Sequence, residues 1–371
     1  MLEISRFRLV FLAFFLVSCV AGRGLGAQDS SRWLVSPELL RAAKLEIVWD
    51  DELPIKKTEK LARLSIVGEQ IYALSGHNYM IALDKEKGNK IFSRSVARAG
   101  LPVQEPVLYN DELISVLGNR LVEMDERTGE ELGAKYIEYG IRCPVARNSS
   151  FFYLSGADRR LHVLRAEDKI QLFEVAGEYN SMITSIVADE DFVVFATDGG
   201  NVVSMSPDKP RRLWQFDAAG AIAGPIVRDG MSLFFASKDT NVYRVDILDL
   251  AVRKLVWKYQ MAGVPEKAPR VTRNAVYQYI GGKGLTAIDR KSGLLLWSLA
   301  EGAELLAEAA GKAYVITKKG TLAVMDNVAG RKLYSVNFRQ VTRYAANTAN
   351  SKMYIADELG RIACVQPVEG K

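Results

Sequence analysis

Short, mainly apolar runs that fit the two-residue repeat of a strand recur along most of the chain, as in Met80-Ile81-Ala82-Leu83, Val242-Tyr243-Arg244-Val245 and Thr321-Leu322-Ala323-Val324-Met325. A period of two sends successive side chains to opposite faces, so each run predicts a half-buried β-strand. A second such run lies just upstream of each, for example Gln70-Ile71-Tyr72-Ala73-Leu74, Phe192-Val193-Val194-Phe195-Ala196 and Lys312-Ala313-Tyr314-Val315-Ile316. Tight turns rich in Gly, Asn, Asp or Lys join the two, which predicts hairpins. The helix signal lies in Ser36-Pro37-Glu38 followed by Leu39-Leu40-Arg41-Ala42-Ala43, where an N-cap, a proline at the first helical position and an early acid predict one short helix.

The strand pairs are in register with one another. The residue that ends the second run falls at Asp84, Asp125, Arg165, Ser206, Asp246, Asp289, Asp326 and Gln366, at intervals of 41, 40, 41, 40, 43, 37 and 40 residues. Repeats of this length are supersecondary units that bury their apolar faces only against neighbours. Four units carry Gly four residues after the anchor (Gly88, Gly129, Gly293, Gly330). Asp accepting from nearby backbone N–H groups, with Gly in the left-handed conformation, closes a turn. Eight residues after the anchor stand Phe92, Gly133, Phe173, Trp214, Trp297 and Tyr334, with Trp257 displaced to eleven by an insertion. Rings at one fixed point of an outer strand suit packing between neighbouring units. Asp84, Asp125, Asp246, Asp289 and Asp326 therefore read as structural turn residues, and Trp49, Trp214, Trp257 and Trp297 as packing aromatics.

The eighth unit ends at Lys371 without an outer strand, while Leu45-Glu46-Ile47-Val48-Trp49 precedes the first complete unit and carries the missing aromatic. The pattern predicts an all-β chain: an eight-bladed β-propeller of four-stranded antiparallel blades over residues 44–371, closed by an N-terminal strand that completes the C-terminal blade.

Composition and charge refine this picture. Arg6 and Arg8 precede an apolar run from Leu9 to Val17, too short to span a bilayer, which predicts a signal peptide over residues 1–18. The sequence Leu16-Val17-Ser18-Cys19 resembles a bacterial lipobox, so Cys19 is the expected lipidation site; the alternative is ordinary cleavage after Ala21 or Ala27. Residues 19–43 read as a flexible tether ending in the short helix. Lysine plus arginine exceed aspartate plus glutamate by 49 to 44, scattered along the chain, which does not mark a nucleic-acid binder. Beyond Cys19 only Cys143 and Cys364 remain, in the third and eighth units, so no disulfide is expected. His77 and His162 are the only histidines and neither shows a partner along the sequence. The basic pairs Arg159-Arg160, Arg211-Arg212 and Lys318-Lys319 fall at turns and read as solvated. No catalytic, cofactor-binding or metal-ligating constellation is recognisable.

The motif Ala-x-Asp-x-x-(Thr/Ser)-Gly-x-x-x-Trp, best preserved at 287–297 and partly at 82–92, 123–133 and 324–334, resembles the repeat of pyrroloquinoline-quinone-type (PQQ) propellers. Two classes share it. Quinoprotein dehydrogenases imply a quinone near the axis, calcium held by acidic and amide oxygens, an aspartate base and commonly two adjacent cysteines. This chain has no Cys-Cys pair and no long insertions. The other class, non-enzymatic propellers that include the BamB lipoproteins of outer-membrane β-barrel assembly, implies a monomeric scaffold without cofactor, a protein partner in the cell envelope and a lipid-anchored periplasmic location. Val20 after Cys19, in place of Asp, implies the outer membrane under this resemblance. The family's acidic and leucine-arginine loop motifs are not recognisable at 102–106, 140–144, 180–184 and 264–269. The loops that lead into the blades nonetheless carry the candidate partner-binding residues: Gln104, Glu105, Arg142, Glu178, Tyr179, Asn180, Glu266 and Lys267. The alternatives to a scaffold are a PQQ-dependent dehydrogenase and a ligand-binding or sensor propeller.

Overall fold

Strand pairing organises the chain into eight separate four-stranded antiparallel sheets. The computed structural model describes residues 33–368, so the expected signal peptide and Cys19 lie outside the described residues. Blade one consists of Leu61–Val67, Gln70–Ser75, Tyr79–Asp84 and Lys90–Ser95, from the axis outward. Blades two to seven follow within 107–136, 146–176, 183–217, 227–260, 270–299 and 302–337. Blade eight takes Arg343–Ala345, Met353–Ala356 and Arg361–Pro367 from the C-terminal end and its outer strand, Leu45–Glu52, from the N-terminal end. That closing strand pairs from Leu45 opposite Pro367 to Glu52 opposite Arg361, with a bulge between Ile47 and Trp49. The short helix is Pro37–Ala42; the Ser36 hydroxyl accepts from the Leu39 N–H, and Leu40 and Ala43 are buried at the junction of blades seven and eight.

The apolar residues form eight clusters, one at each junction between neighbouring blades. In blade five, Leu233 and Phe235 face blade four while Phe234 and Ala236 face blade six. The middle strands are therefore buried on both faces rather than on one, as Ile71-Tyr72-Ala73-Leu74 shows. Alternation survives in sequence only where an outer strand keeps one side in water.

The turns and aromatics of the repeat combine into a latch. The Asp289 carboxylate accepts from the Lys291 and Ser292 N–H groups at 3.1 and 2.7 Å, and the Gly293 N–H donates to the Asp289 carbonyl at 2.9 Å. Asp84, Asp125 and Asp326 make the same turn. Bonds from the Ser292 hydroxyl and N–H hold the Asp289 carboxyl below its usual range, and backbone N–H donors do the same for Asp125 and Asp326. Onto each turn the preceding blade lays its ring. Trp49 lies against Gly88, Phe92 against Gly129 and Trp257 against Gly293, so closely that a Cβ on any of these glycines would stand 2.5–2.7 Å from ring or Cβ atoms. Where the ring is indole, Nε1 donates to the residue after the anchor: Trp49 to the Lys85 carbonyl (3.1 Å), Trp257 to the Arg290 carbonyl (2.9 Å) and Trp297 to Asn327 Oδ1 (2.7 Å).

Four junctions depart from this scheme; in blade four the anchor is Ser206, whose hydroxyl bonds Asp208, and Pro210 stands at the glycine position. Blade five's outer hairpin lengthens to Asn241–Asp249 and Val252–Gln260, so Asp246 sits inside a strand, paired with Arg244 at 2.9 Å rather than closing a turn. Trp214, which packs against that hairpin, has a buried Nε1 with no acceptor. Blade seven's Tyr334 finds no turn in blade eight and donates to the Ala43 carbonyl at 3.0 Å, behind the helix. Between blades two and three the partners have exchanged sizes. Gly133 occupies the aromatic position, and Lys169, at φ 58°, occupies the turn position that is glycine elsewhere. The Lys169 ammonium reaches over Gly133 to Glu123 at 2.6 Å, and Arg147, stacked on Phe152, joins Glu123 at 3.2 Å.

This exchange gives a double-mutant test. Gly133→Trp alone must displace the Lys169 side chain and is expected to cost about 1–3 kcal/mol, as overpacking does. Lys169→Gly alone relieves the backbone yet removes the ion pair, so any loss reports the side chain. Together they should rebuild the aromatic latch, with a favourable coupling above about 1 kcal/mol in denaturant unfolding. Additive effects would show that the two positions do not substitute for each other.

Candidate functional site

The loops linking an outer strand to the next blade's innermost strand lie on the same rim as the hairpin turns joining the two middle strands. Backbone bonds stitch the two loop sets: Gly76 to Lys60, Gly118 to Pro102, Ala157 to Gly140, Asp198 to Met182, Lys238 to Ala221 and Lys318 to Glu301, N–H to carbonyl, at 2.7–3.0 Å. The rim is thus a surface of fixed loops, while the opposite rim consists largely of the Asp-Gly turns.

All eight candidate residues sit on this rim, in three groups. Over blades three and four, the loops of Arg142, Arg159 and Glu178–Asn180 adjoin: the Arg142 N–H donates to the Ser155 carbonyl at 3.0 Å, and an Arg159 guanidinium N–H to the Asn180 carbonyl at 3.0 Å. Tyr179 is 95% exposed and, like Asn180, has left-handed backbone (φ 52° and 58°). The turn fixes the backbone under this ring, and a tyrosine offers a large contact area for two rotatable bonds. Glu178 is committed to Arg212 at 2.7 Å. Elsewhere on the rim, the Gln104 carbonyl accepts from Arg63 and from the Ser115 hydroxyl, and Glu105 attracts Arg63 and Arg270 near the axis. Glu266 and Lys267 lie over blade six, with the Lys267 ammonium 4.9 Å from the Tyr279 ring centre.

Several polar groups have partners that their local sequence conceals. His77 Nδ1 meets Glu59 at 3.2 Å, and Glu59, bonded also by the Ser75 hydroxyl, titrates below its usual range. His162 is buried beneath Tyr139, stacked at 3.8 Å. Its Nε2 faces Asp158 at 3.0 Å and its Nδ1 faces Gln171 and Glu174 at 3.2 and 3.6 Å. The carboxylates of this Asp158/His162/Glu174 group stand on opposite ring nitrogens, an arrangement that holds the imidazole and does not converge on one metal position. Arg212 and Arg160, read from sequence as solvated, are ion-paired with Glu178 and Glu174.

The donors required by a quinone and calcium can be compared with the innermost strands. Arg270 pairs with Glu304 through two contacts of 3.1 Å, and Arg343 pairs with Glu358 at 3.2 Å. These carboxylates are occupied by guanidinium groups, which leaves no convergent set of free oxygens for calcium among them. Cys143 and Cys364 are free and buried in different blades, and burial pushes both thiols up to about 12. Among the described residues, these pairs and the separated thiols do not match the calcium ligands and adjacent cysteines that the dehydrogenase resemblance implies.

Fold and repeat together define an eight-bladed propeller whose repeats resemble the PQQ type. The sequence profile of a family described as outer membrane protein assembly factor BamB matches residues 198–341 and 243–371. Among solved structures, BamB from Moraxella catarrhalis superimposes with a TM-score of 0.67 at 13% identity, over 88% of this chain and 99% of that one. The computationally designed Ika8 protein matches with a TM-score of 0.63 at 15% identity, over 85% and 98%. A search of curated proteins found no match. Residues 198–371 are thus similar in sequence to that family, and the described chain has the fold of an eight-bladed propeller like that of BamB.

Addition of pyrroloquinoline quinone and calcium is expected to give no dye reduction with primary alcohols or sugars. Turnover abolished by a chelator would establish the dehydrogenase instead.

Proposed function

We propose that this chain is a non-enzymatic interaction scaffold of the bacterial envelope, held at the periplasmic face of the outer membrane by a lipid on Cys19 and serving the assembly of outer-membrane proteins. The observation that carries this reading is the match of residues 198–371 to a family described by that role. The stitched rim supports it: loops from distant parts of the chain stand side by side on a rigid ring, which suits recognition without chemistry. The sector of Arg142 and Tyr179 is the docking face, since interface energy concentrates in a few arginine and aromatic side chains.

Affinity capture of the intact protein from its own envelope should recover a barrel-forming outer-membrane protein. Replacing Arg142 and Tyr179 together by alanine should weaken that capture at least about tenfold, on the scale of one or two hot-spot residues, with an unchanged melting profile. Equal capture by the variant would remove this sector as the docking face. In membrane fractionation, Cys19→Ser should move the protein to the soluble fraction, because stable anchoring requires more than one acyl chain; retention in the membrane would refute the anchor.

A further inference from the structure

A second feature of the rim lies away from that sector, between blades seven and eight. A concavity of about 360 Å³ opens there, lined by Lys318, Lys319 and Gly320 of the blade-seven hairpin, Arg339 and Val341 of the following loop, and Tyr344 of blade eight's innermost strand. The turn and the loop meet at backbone distance. The Phe338 N–H donates to the Gly320 carbonyl at 2.8 Å, and a Cβ on Gly320 (φ 70°) would stand 2.9 Å from the Arg339 Cα. Only glycine permits this approach, and the approach brings three cations to one cavity.

None of the three has an ion-pair partner among the described residues. The Lys318 ammonium lies 5.3 Å from the centre of the Tyr279 ring, and Lys267, also without an ion pair, lies 4.9 Å from the same ring. The two ammonium groups therefore stand within about 10 Å of each other, one Debye length at 0.1 M salt. Of the neighbouring acids, Glu304 pairs with Arg270 and Glu301 pairs with Lys332 at 3.1 Å, with Lys319 also in its field but outside ion-pair distance. Most arginines in the blades have a carboxylate or carbonyl partner, whereas these three exposed cations line one concavity without an ion pair, so an anion seated there would be attracted by all three.

We propose that this cavity is an oxyanion site that takes a phosphate-bearing group. A phosphate carries more than one charge and at least three acceptor oxygens, which matches two ammonium groups and a planar guanidinium better than a single carboxylate does. Tyr344, in the lining, offers ring surface for whatever the phosphate is attached to. The proposal stands independently of the scaffold reading, since it uses neither the Arg142 sector nor the lipid.

The test measures binding of inorganic pyrophosphate to the full mature chain by titration calorimetry at constant ionic strength, with sodium chloride as the reference anion. Pyrophosphate should bind. Lys318→Gln, Lys319→Gln and Arg339→Gln combined should weaken binding at least tenfold, while Lys57→Gln, Lys238→Gln and Lys254→Gln combined, removing the same charge elsewhere, should leave it unchanged. Arg339→Lys, which keeps the charge and the fold but loses the planar fork, should fall between. Vesicles separate the sources: retention on phosphatidylglycerol vesicles that drops in the cavity variant and is competed by pyrophosphate assigns a lipid headgroup. No difference on vesicles, with pyrophosphate binding intact, assigns a free phosphate ligand. Equal loss in both triple variants, or tighter binding of a polyglutamate peptide of matched charge at this cavity, would overturn the proposal.

Discussion

Everything in this molecule depends on filling the wedge between one blade and the next. A four-stranded sheet with two apolar faces cannot be stable alone, and here each face is covered only by a neighbour, so there is no single core but eight junctions around a ring. Toward the outside the sheets splay, and the gap widens. The aromatic of the outer strand spans that gap, and the Asp-Gly turn of the next blade receives it. The same glycine thus serves two needs, a left-handed turn and a ring lying against its Cα. Closure by Leu45–Glu52 follows from the same need, because an unfilled eighth wedge would expose two faces at once.

The variations at the junctions show what the constraint is. It is volume and satisfied polar groups, not a particular residue. Gly133 and Lys169 fill the second junction with the large partner on the opposite side and replace the aromatic contact by an ion pair with Glu123. Tyr334 bonds the Ala43 carbonyl where blade eight has no turn to offer. Trp214 fills its space but leaves Nε1 without an acceptor, the consequence of the longer hairpin in blade five. Such a group costs free energy when buried unpaired, and it is tolerated here by a junction otherwise packed with Phe192, Phe216, Phe235 and Tyr243.

A ring held in this way frees its rim from any duty to the core. The loops there are tied to each other by backbone bonds, so their side chains are presented at fixed places. That separation lets one propeller carry an aromatic and arginine sector over blades three and four and a cationic cavity between blades seven and eight. It is also why similarity of fold at 13% identity says little about which side chains the rim displays.

Blade number, strand order, the short helix and ring closure were legible in the chain because they rest on local rules repeated eight times: an interval near 40 residues, an Asp-Gly turn and an aromatic at a set offset. The candidate rim residues could likewise be placed on one face from connectivity alone. What only the tertiary structure decided are the relations between residues far apart in sequence. The middle strands are buried on both faces, although alternation suggested one. Asp246 left its turn for Arg244, His77 found Glu59, and Arg160 and Arg212 found carboxylates. Lys318, Lys319 and Arg339 met at one cavity without an ion pair among the described residues. A repeat specifies the geometry of each unit, since turns and strand periods are set by neighbours in the chain. Electrostatic partners are set by proximity across junctions, and no periodicity of single residues encodes which charges a closed ring will bring together.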